Sequence, residues 1–256
     1  MPLNRQRNRL LLVLFIIAVC FACTPPGKIT KENFDSTKEE AIYKAGLDDA
    51  KNMTEAKVSH KLTEVIPANK NITQVDIDTF KVLVVSWKDS ADLNYYNSGK
   101  KGYFNTGGFV NFVTIAPDLL KWYESNHPDS AVLDYRLKEL LGLPPTAKKN
   151  CFMLFWVKAA DLYRPCKDSS ITDNYCNIDF PPGTGTGYIK WWTDYFNGSY
   201  SSTTLYKNYP FTGLGYTYDW SPANKSHKGL SEFCIKANST IYFNSYASTK
   251  QFFANK

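Results

Sequence analysis

Glu232 is the acid in this sequence whose neighbours best suit chemistry. It stands in KGLSEFCIKAN (Lys228–Asn238), after Gly229 and Ser231 and just before the apolar triad Phe233-Cys234-Ile235. A carboxyl at a strand start, beside glycine and serine, can reach into a cleft; the bland alternative is a solvated strand-end glutamate. Arg136, in DYRLKELLGLPP (Asp134–Pro145), carries a guanidinium that can clamp a phosphate or carboxylate with two hydrogen bonds, or simply sit on the surface beside an apolar helical stripe. A third group is aromatic. Between Tyr188 and Trp220 lie Trp191, Trp192, Tyr195, Phe196, Tyr200, Tyr206, Tyr209, Phe211, Tyr216 and Tyr218. Such rings stack on the C–H faces of sugars, and Tyr and Trp add a polar handle, so Trp191, Trp192, Tyr216, Tyr218 and Trp220 are candidate ligand contacts. The competing use of the same rings is as core.

Other chemistries find less to work with. Asp168, Asp173, Asn174, Asn177 and Asp179 are dense oxygen donors, but their order does not match an EF-hand, and an ordinary polar loop is expected there. No C-x-x-C occurs after the first 23 residues, and His60, His127 and His227 are far apart, so no metal is expected. There is no G-x-S-x-G and no P-loop. Gly183-Thr184-Gly185-Thr186-Gly187 lacks the preceding strand that a dinucleotide fingerprint requires.

These groups must be positioned by elements that the pattern suggests. Asp35-Ser36-Thr37 can cap a helix with Ala41, Ile42, Ala45 and Leu47 on one side. Residues 57–66 alternate weakly, as a strand ending at Pro67. Phe80–Trp87 (FKVLVVSW), Phe109–Ile115 (FVNFVTI) and Cys151–Val157 (CFMLFWV) are buried strands. Residues 88–106 form a long polar loop. A short helix follows Ala116-Pro117-Asp118, and a second one, starting at Asp129-Ser130, stops at Gly142 before Pro144-Pro145. Residues 164–187 form an irregular loop and Ile189–Phe196 a helix. Leu214–Trp220, Gly229–Ile235 and Thr240–Phe243 are late strands. Helices interrupt the strands without regular alternation, which predicts an α+β fold with a mainly antiparallel or mixed sheet. The expected division is a helical segment over 35–78 and a main domain over 79–256.

In chain order, a buried strand, FVTIAPDL, an arginine-bearing LGLPP, the strand FWV and a strand opened by Ser231-Glu232 resemble the ADP-ribosyltransferase and NAD-glycohydrolase toxin-like fold over residues 80–243. The resemblance implies an NAD-consuming enzyme, with Glu232 stabilising an oxocarbenium-like ribosyl cation and Arg136 as a phosphate contact. Trp87 stands where that fold places an early-strand Arg or His.

The N-terminus supplies the compartment. Arg5, Arg7 and Arg9 precede the apolar run Leu10–Val19, and Thr24-Pro25-Pro26-Gly27 breaks the chain's apolar character soon after it. This reads as a signal peptide of residues 1–22, the competing reading being an uncleaved N-terminal anchor, for which the apolar part is short. Ala22-Cys23 resembles the acylation site of a bacterial lipoprotein, with Cys20 where leucine is usual. Cys23 is therefore the expected lipid attachment, with a tether over 23–34. The partner so implied is a membrane, reached through the lipid, and the location is the cell envelope. Loss of the signal lowers the formal charge from +6 to +3, and no long basic run remains, so nucleic-acid binding is not expected. Four cysteines come after Cys23. Cys166 and Cys176 share one loop and are expected to pair; Cys151 and Cys234 would then pair across the sheet, or stay as buried thiols. Two functions are compatible with these features. One is a noncatalytic envelope-anchored binding domain with an aromatic face for a glycan or protein and no cofactor; the other is the NAD-consuming enzyme.

Overall fold

The computed structural model describes residues 35–76, 79–96, 101–201 and 209–254. The expected signal peptide, tether and Cys23, together with Tyr206 of the aromatic run, lie outside the described residues. The fold is α+β, and every strand pairing is antiparallel. In chain order the elements are α1 (Ser36–Lys51), β1 (Gln74–Asp76), β2 (Phe80–Lys88), β3 (Gly102–Asn105), β4 (Asn111–Ile115), α2 (Ala116–Asn126) and α3 (Leu133–Leu140). Then come β5 (Cys151–Lys158), β6 (Leu162–Tyr163), α4 (Thr186–Ser199), β7 (Tyr216–Tyr218), β8 (Lys228–Ile235), β9 (Thr240–Ser248) and α5 (Thr249–Phe253). The strands form one sheet in the order β3-β9-β5-β2-β4-β8-β6, with β1 beside β2 and β7 beside β8.

Residues opposed across an antiparallel pair share a face, which sorts the sheet into two cores. One face carries Val82, Val84, Val113, Ile115, Met153, Phe155, Val157, Phe233 and Ile235, packed under Val65, Ile72 and Tyr96. The other carries Val85, Trp87, Phe152 and Leu230 and is covered by α2, α3 and α5 through Leu119, Leu133, Leu137, Leu140 and Phe253.

Residues 35–76 pack onto this body. Asp35 caps α1 by accepting from the Thr37 and Lys38 amides. The buried side of α1 is Glu39, Tyr43, Gly46 and Ala50, not the expected stripe: Ala41 and Ala45 are exposed. The reason is local. A Cβ on Gly46 would lie 3.0 Å from the Tyr218 ring and 3.1 Å from Trp220 Cβ, so the helix approaches along its glycine. Glu39 is tolerated inside because Tyr135 Oη donates to it at 2.8 Å. Residues 57–66 form no strand. After a 3-10 turn at Glu55–Lys57 the chain runs extended, and the Leu62 and Val65 amides donate to the carbonyls of Asn174 and Ile171 in the loop opposite. Val58, Leu62 and Val65 are buried there without a partner strand, at spacings of four and three rather than the two of an alternating strand.

Cys166 and Cys176 form the disulfide that the shared loop predicts. Cys151 and Cys234 do not pair; both are buried thiols. They lie on β5 and β8, with β2 and β4 between them. Three strand spacings amount to roughly 14 Å, far beyond disulfide reach.

Candidate functional site

The site begins with an irregularity in the sheet. The free edge of β2 is used in succession: β1 pairs at Phe80–Val82, then β4 pairs at Val84 and Val85 only. Beyond Val85 the strands diverge, and Ser86 reaches β4 through its side chain alone, donating to the Phe112 carbonyl at 3.2 Å. A cleft opens where the ladder stops.

Glu232 sits opposite Thr114 in the β4–β8 ladder, so it shares a face with Thr114 rather than with the core residues Val113 and Phe233. That face is roofed by α3 on one side and α4 on the other, and Glu232 points into the gap between them. The cavity there has a volume of about 290 Å³; its walls are Phe112, Tyr195, Tyr209, Phe211 and Tyr218, with Leu141, Gly142, Leu143, Pro210 and Thr217. A second cavity of about 290 Å³ shares Glu232, Phe112, Leu141, Leu143, Tyr209 and Thr217, and adds Ser86, Lys88, Asn111 and Lys149. The shared lining makes them two compartments of one cleft, one aromatic and one polar.

Local sequence explains the walls. Gly142 ends α3 at φ +65°, a left-handed conformation that glycine adopts at little cost. Its bare Cα lies close to Pro210 and the Tyr218 carbonyl, where an added Cβ would come within 3.2 Å of each. The helix end is thereby pressed against the strand that forms the cleft's far side. On α4, Tyr195 meets Phe112 at 5.1 Å and Phe211 at 4.9 Å between ring centroids, in the range of favourable aromatic pairs.

Among the described residues the Glu232 carboxyl accepts no hydrogen bond and forms no ion pair. Its amide donates to the Gly215 carbonyl, so the backbone is satisfied and the side chain is not. Burial alone pushes its pKa up to about 8. The upward shift favours the neutral acid, which can donate one hydrogen bond and accept others. In the polar compartment, burial and then the nearby Lys149 charge push the Lys88 ammonium below its ordinary value, with Asp92 opposing.

The other anticipated residues lie elsewhere. Arg136 is in a separate cavity with Trp122, Asp219, Lys228 and Gly229. Its guanidinium donates to both Asp219 carboxylate oxygens, at 3.0 and 2.7 Å, and stacks over the Trp122 ring at 5.1 Å. It is a structural bidentate pair, and Arg136 and Glu232 do not share a cleft.

The aromatic face is also redrawn. Trp192, Tyr216, Tyr218 and Trp220 are buried. The Trp220 indole donates to the Leu143 carbonyl, Tyr216 Oη to the Lys57 carbonyl and Tyr218 Oη to Asp49. Trp192 is wedged between Phe180, Phe196 and Gly213. Trp191 is half-buried against Tyr163 and Tyr188, beside a different pocket. Of the five candidates only Tyr218 lines the Glu232 cleft. Trp192, Phe211, Tyr216, Tyr218 and Trp220 are buried because large apolar rings fill interior space well, while the other described rings of this segment stay half-buried or exposed.

Phe112, Lys88 and Lys149 are cleft residues that sequence reasoning does not single out. Phe112 carries a usable signal, since it alternates with Val113 and so has to face away from one core. The lysines carry none; they flank strands, where lysine is ordinary. The acidic loop is occupied by its own contacts, with Asp173 on Arg164 and Asp168 accepting from Asn177. Among the described residues no group of three or more His, Cys, Asp or Glu is arranged to hold a metal, and no helix is long and apolar enough to cross a membrane.

A second buried acid gives a pH dependence. Glu139, on α3, has no exposed surface. Burial pushes it up to about 8; Arg136 Nη1 at 3.5 Å opposes the shift, while Asp219 and Glu39 add to it. Its folded pKa therefore lies above the ordinary value of 4.5. Between those two values the folded state holds more protons than the unfolded chain, so stability falls as pH rises from about 4.5 to about 8 and then levels off. Glu232 acts in the same direction. The expected result is a melting temperature several degrees higher at mildly acidic than at mildly alkaline pH, with Glu139→Gln flattening the slope. Equal slopes in the two proteins would reject this account.

No protein-family model, no curated protein and no solved structure matches the chain, so no relative assigns a role to the Glu232 cleft.

Proposed function

We propose that this chain is an envelope lipoprotein, anchored through an acylated Cys23, whose folded domain binds a small hydroxyl-rich ligand of the sugar type in the Glu232 cleft without turning it over. One observation carries the reading: a carboxyl without a hydrogen-bonding partner among the described residues lines an open cleft walled by five aromatic rings. The side chain is half-buried and lines the cleft, so its carboxyl is open to hydroxyl groups of a bound ligand. Aromatic walls suit the C–H faces of a sugar ring, and a protonated carboxyl both donates to and accepts from neutral hydroxyls. The volume, about 290 Å³, is at the lower end for small-molecule sites.

The NAD-consuming alternative loses the contact it needs for phosphate, because Arg136 is committed to Asp219 in another cavity. A cleft with one acid and no partner arginine supports recognition better than glycosyl transfer.

Ligand-detected NMR of the full chain against a panel of free monosaccharides tests the proposal. Binding should be detectable and weakened about tenfold by Tyr209→Ala, the loss expected for one stacking ring. Tyr246→Ala, an exposed ring on β9 outside the cleft, should leave it unchanged. Absence of any monosaccharide binding, or equal losses from the two variants, would overturn the assignment.

A further inference from the structure

The polar compartment of the cleft has no role in recognising a neutral sugar, and it is built around two cations. Lys88, at the end of β2, and Lys149, just before β5, line the same cavity and are both half-buried. Their elements fix them side by side: Lys88 is the last residue of β2 and pairs with Cys151, two residues beyond Lys149. Neither ammonium makes a hydrogen bond or ion pair among the described residues. Asp92, in the turn after β2, is the acid that acts on Lys88. Two like charges brought together and partly removed from water repel, and such an arrangement persists most easily where an anion offsets it. Ser86 and Asn111 stand in the same compartment and add polar groups at its wall. Glu232, on the shared boundary, does not oppose an anion while it is protonated.

Resting on the ligand reading above, we propose that the natural ligand is an anionic sugar-type molecule. Its ring sits among Phe112, Tyr195, Tyr209 and Phe211, and its carboxylate or phosphate sits between Lys88 and Lys149. The aromatic compartment supplies affinity for the ring, and the lysine pair selects acidic ligands over neutral ones. Lysine ammonium groups recognise both anions as point charges, so either substituent satisfies the pair.

The test is titration calorimetry of the full chain with three probes: glucose, glucuronate and glucose 6-phosphate. At least one acidic probe is expected to bind tenfold or more tightly than glucose, with the better of the two identifying the anion. The double variant Lys88→Met/Lys149→Met should bring acidic probes down to the level of glucose and leave glucose itself unchanged. Lys149→Gln, the milder variant, should give a partial loss with an unaltered melting temperature, which separates recognition from folding. Glucose binding as tightly as both acids, or acid preference surviving the double variant, would overturn the anion site while leaving the ligand reading intact. Failure of all three probes would count against the ligand reading and the anion site together.

Discussion

Arg164→Met is expected to lower stability by about 3–5 kcal/mol, the range for removing one partner from a buried charged network. Arg164 has no exposed surface, although it sits in an apolar setting beneath the disulfide loop. Its Nη1 donates to Asp173 Oδ1 at 2.7 Å and to the Tyr175 carbonyl at 3.2 Å. Its Nη2 donates to the carbonyls of Thr63 and Asp173, both at 2.9 Å. The guanidinium also lies over the Phe233 ring at 5.4 Å. One side chain thereby ties the loop, the extended 57–66 segment and the sheet together. Methionine fills a similar volume, so the loss measures the unpaired carbonyls and the Asp173 carboxylate rather than a cavity. Arg164→Lys keeps the charge but lacks the planar fork, and should fall between the two. Urea unfolding reads the effect; a loss below about 1 kcal/mol for Arg164→Met would show that the disulfide alone holds the loop.

Gly229→Ala should destabilise by about 1–3 kcal/mol or more, as overpacking against atoms that cannot move. A Cβ there would overlap Thr217 Oγ1 and lie 2.5 Å from the Thr217 carbonyl and 2.7 Å from the Leu140 carbonyl. Two of these three atoms are backbone. The third is engaged on both sides: Thr217 Oγ1 donates to the Leu140 carbonyl at 2.7 Å and accepts from the Leu230 amide at 3.0 Å. That hydroxyl fastens the end of α3 to the sheet next to Leu141, Leu143 and Thr217 of the cleft wall. The variant should therefore melt lower, at about 2–4 °C per kcal/mol for a chain of this size, and should also bind sugar-type probes less well. A wild-type melting temperature would mean that α3 can shift away without cost.

Much of the scaffold is legible from residue order. β2, β4 and β5 are strongly apolar, β-branched or aromatic runs, and their burial holds wherever they are placed. Gly142 marks the end of α3 and adopts the positive φ that this requires. Cys166 and Cys176 pair because only nine residues of loop separate them. β3 escapes detection because GYFN is a short edge strand set among glycines and polar residues, with only alternate side chains partly buried. The stripe on α1 is misread because a glycine and a glutamate face the core, and neither counts as apolar in a periodicity argument.

The site divides in the same way. Glu232 stands out by its neighbours, and the structure gives it a cleft. Arg136 stands out on equal grounds, and its partner is Asp219, eighty-three residues away. The charge, the strand runs, the helix stop and the loop disulfide are determined by the sequence itself, because each depends on residues close together along the chain. Which aromatic rings fill the core, which thiols stay apart, and which carboxyl is left without a partner are decided only by tertiary structure. Those outcomes depend on sheet order and on where β2 and β4 diverge, and strand order is a long-range property that local pattern does not encode.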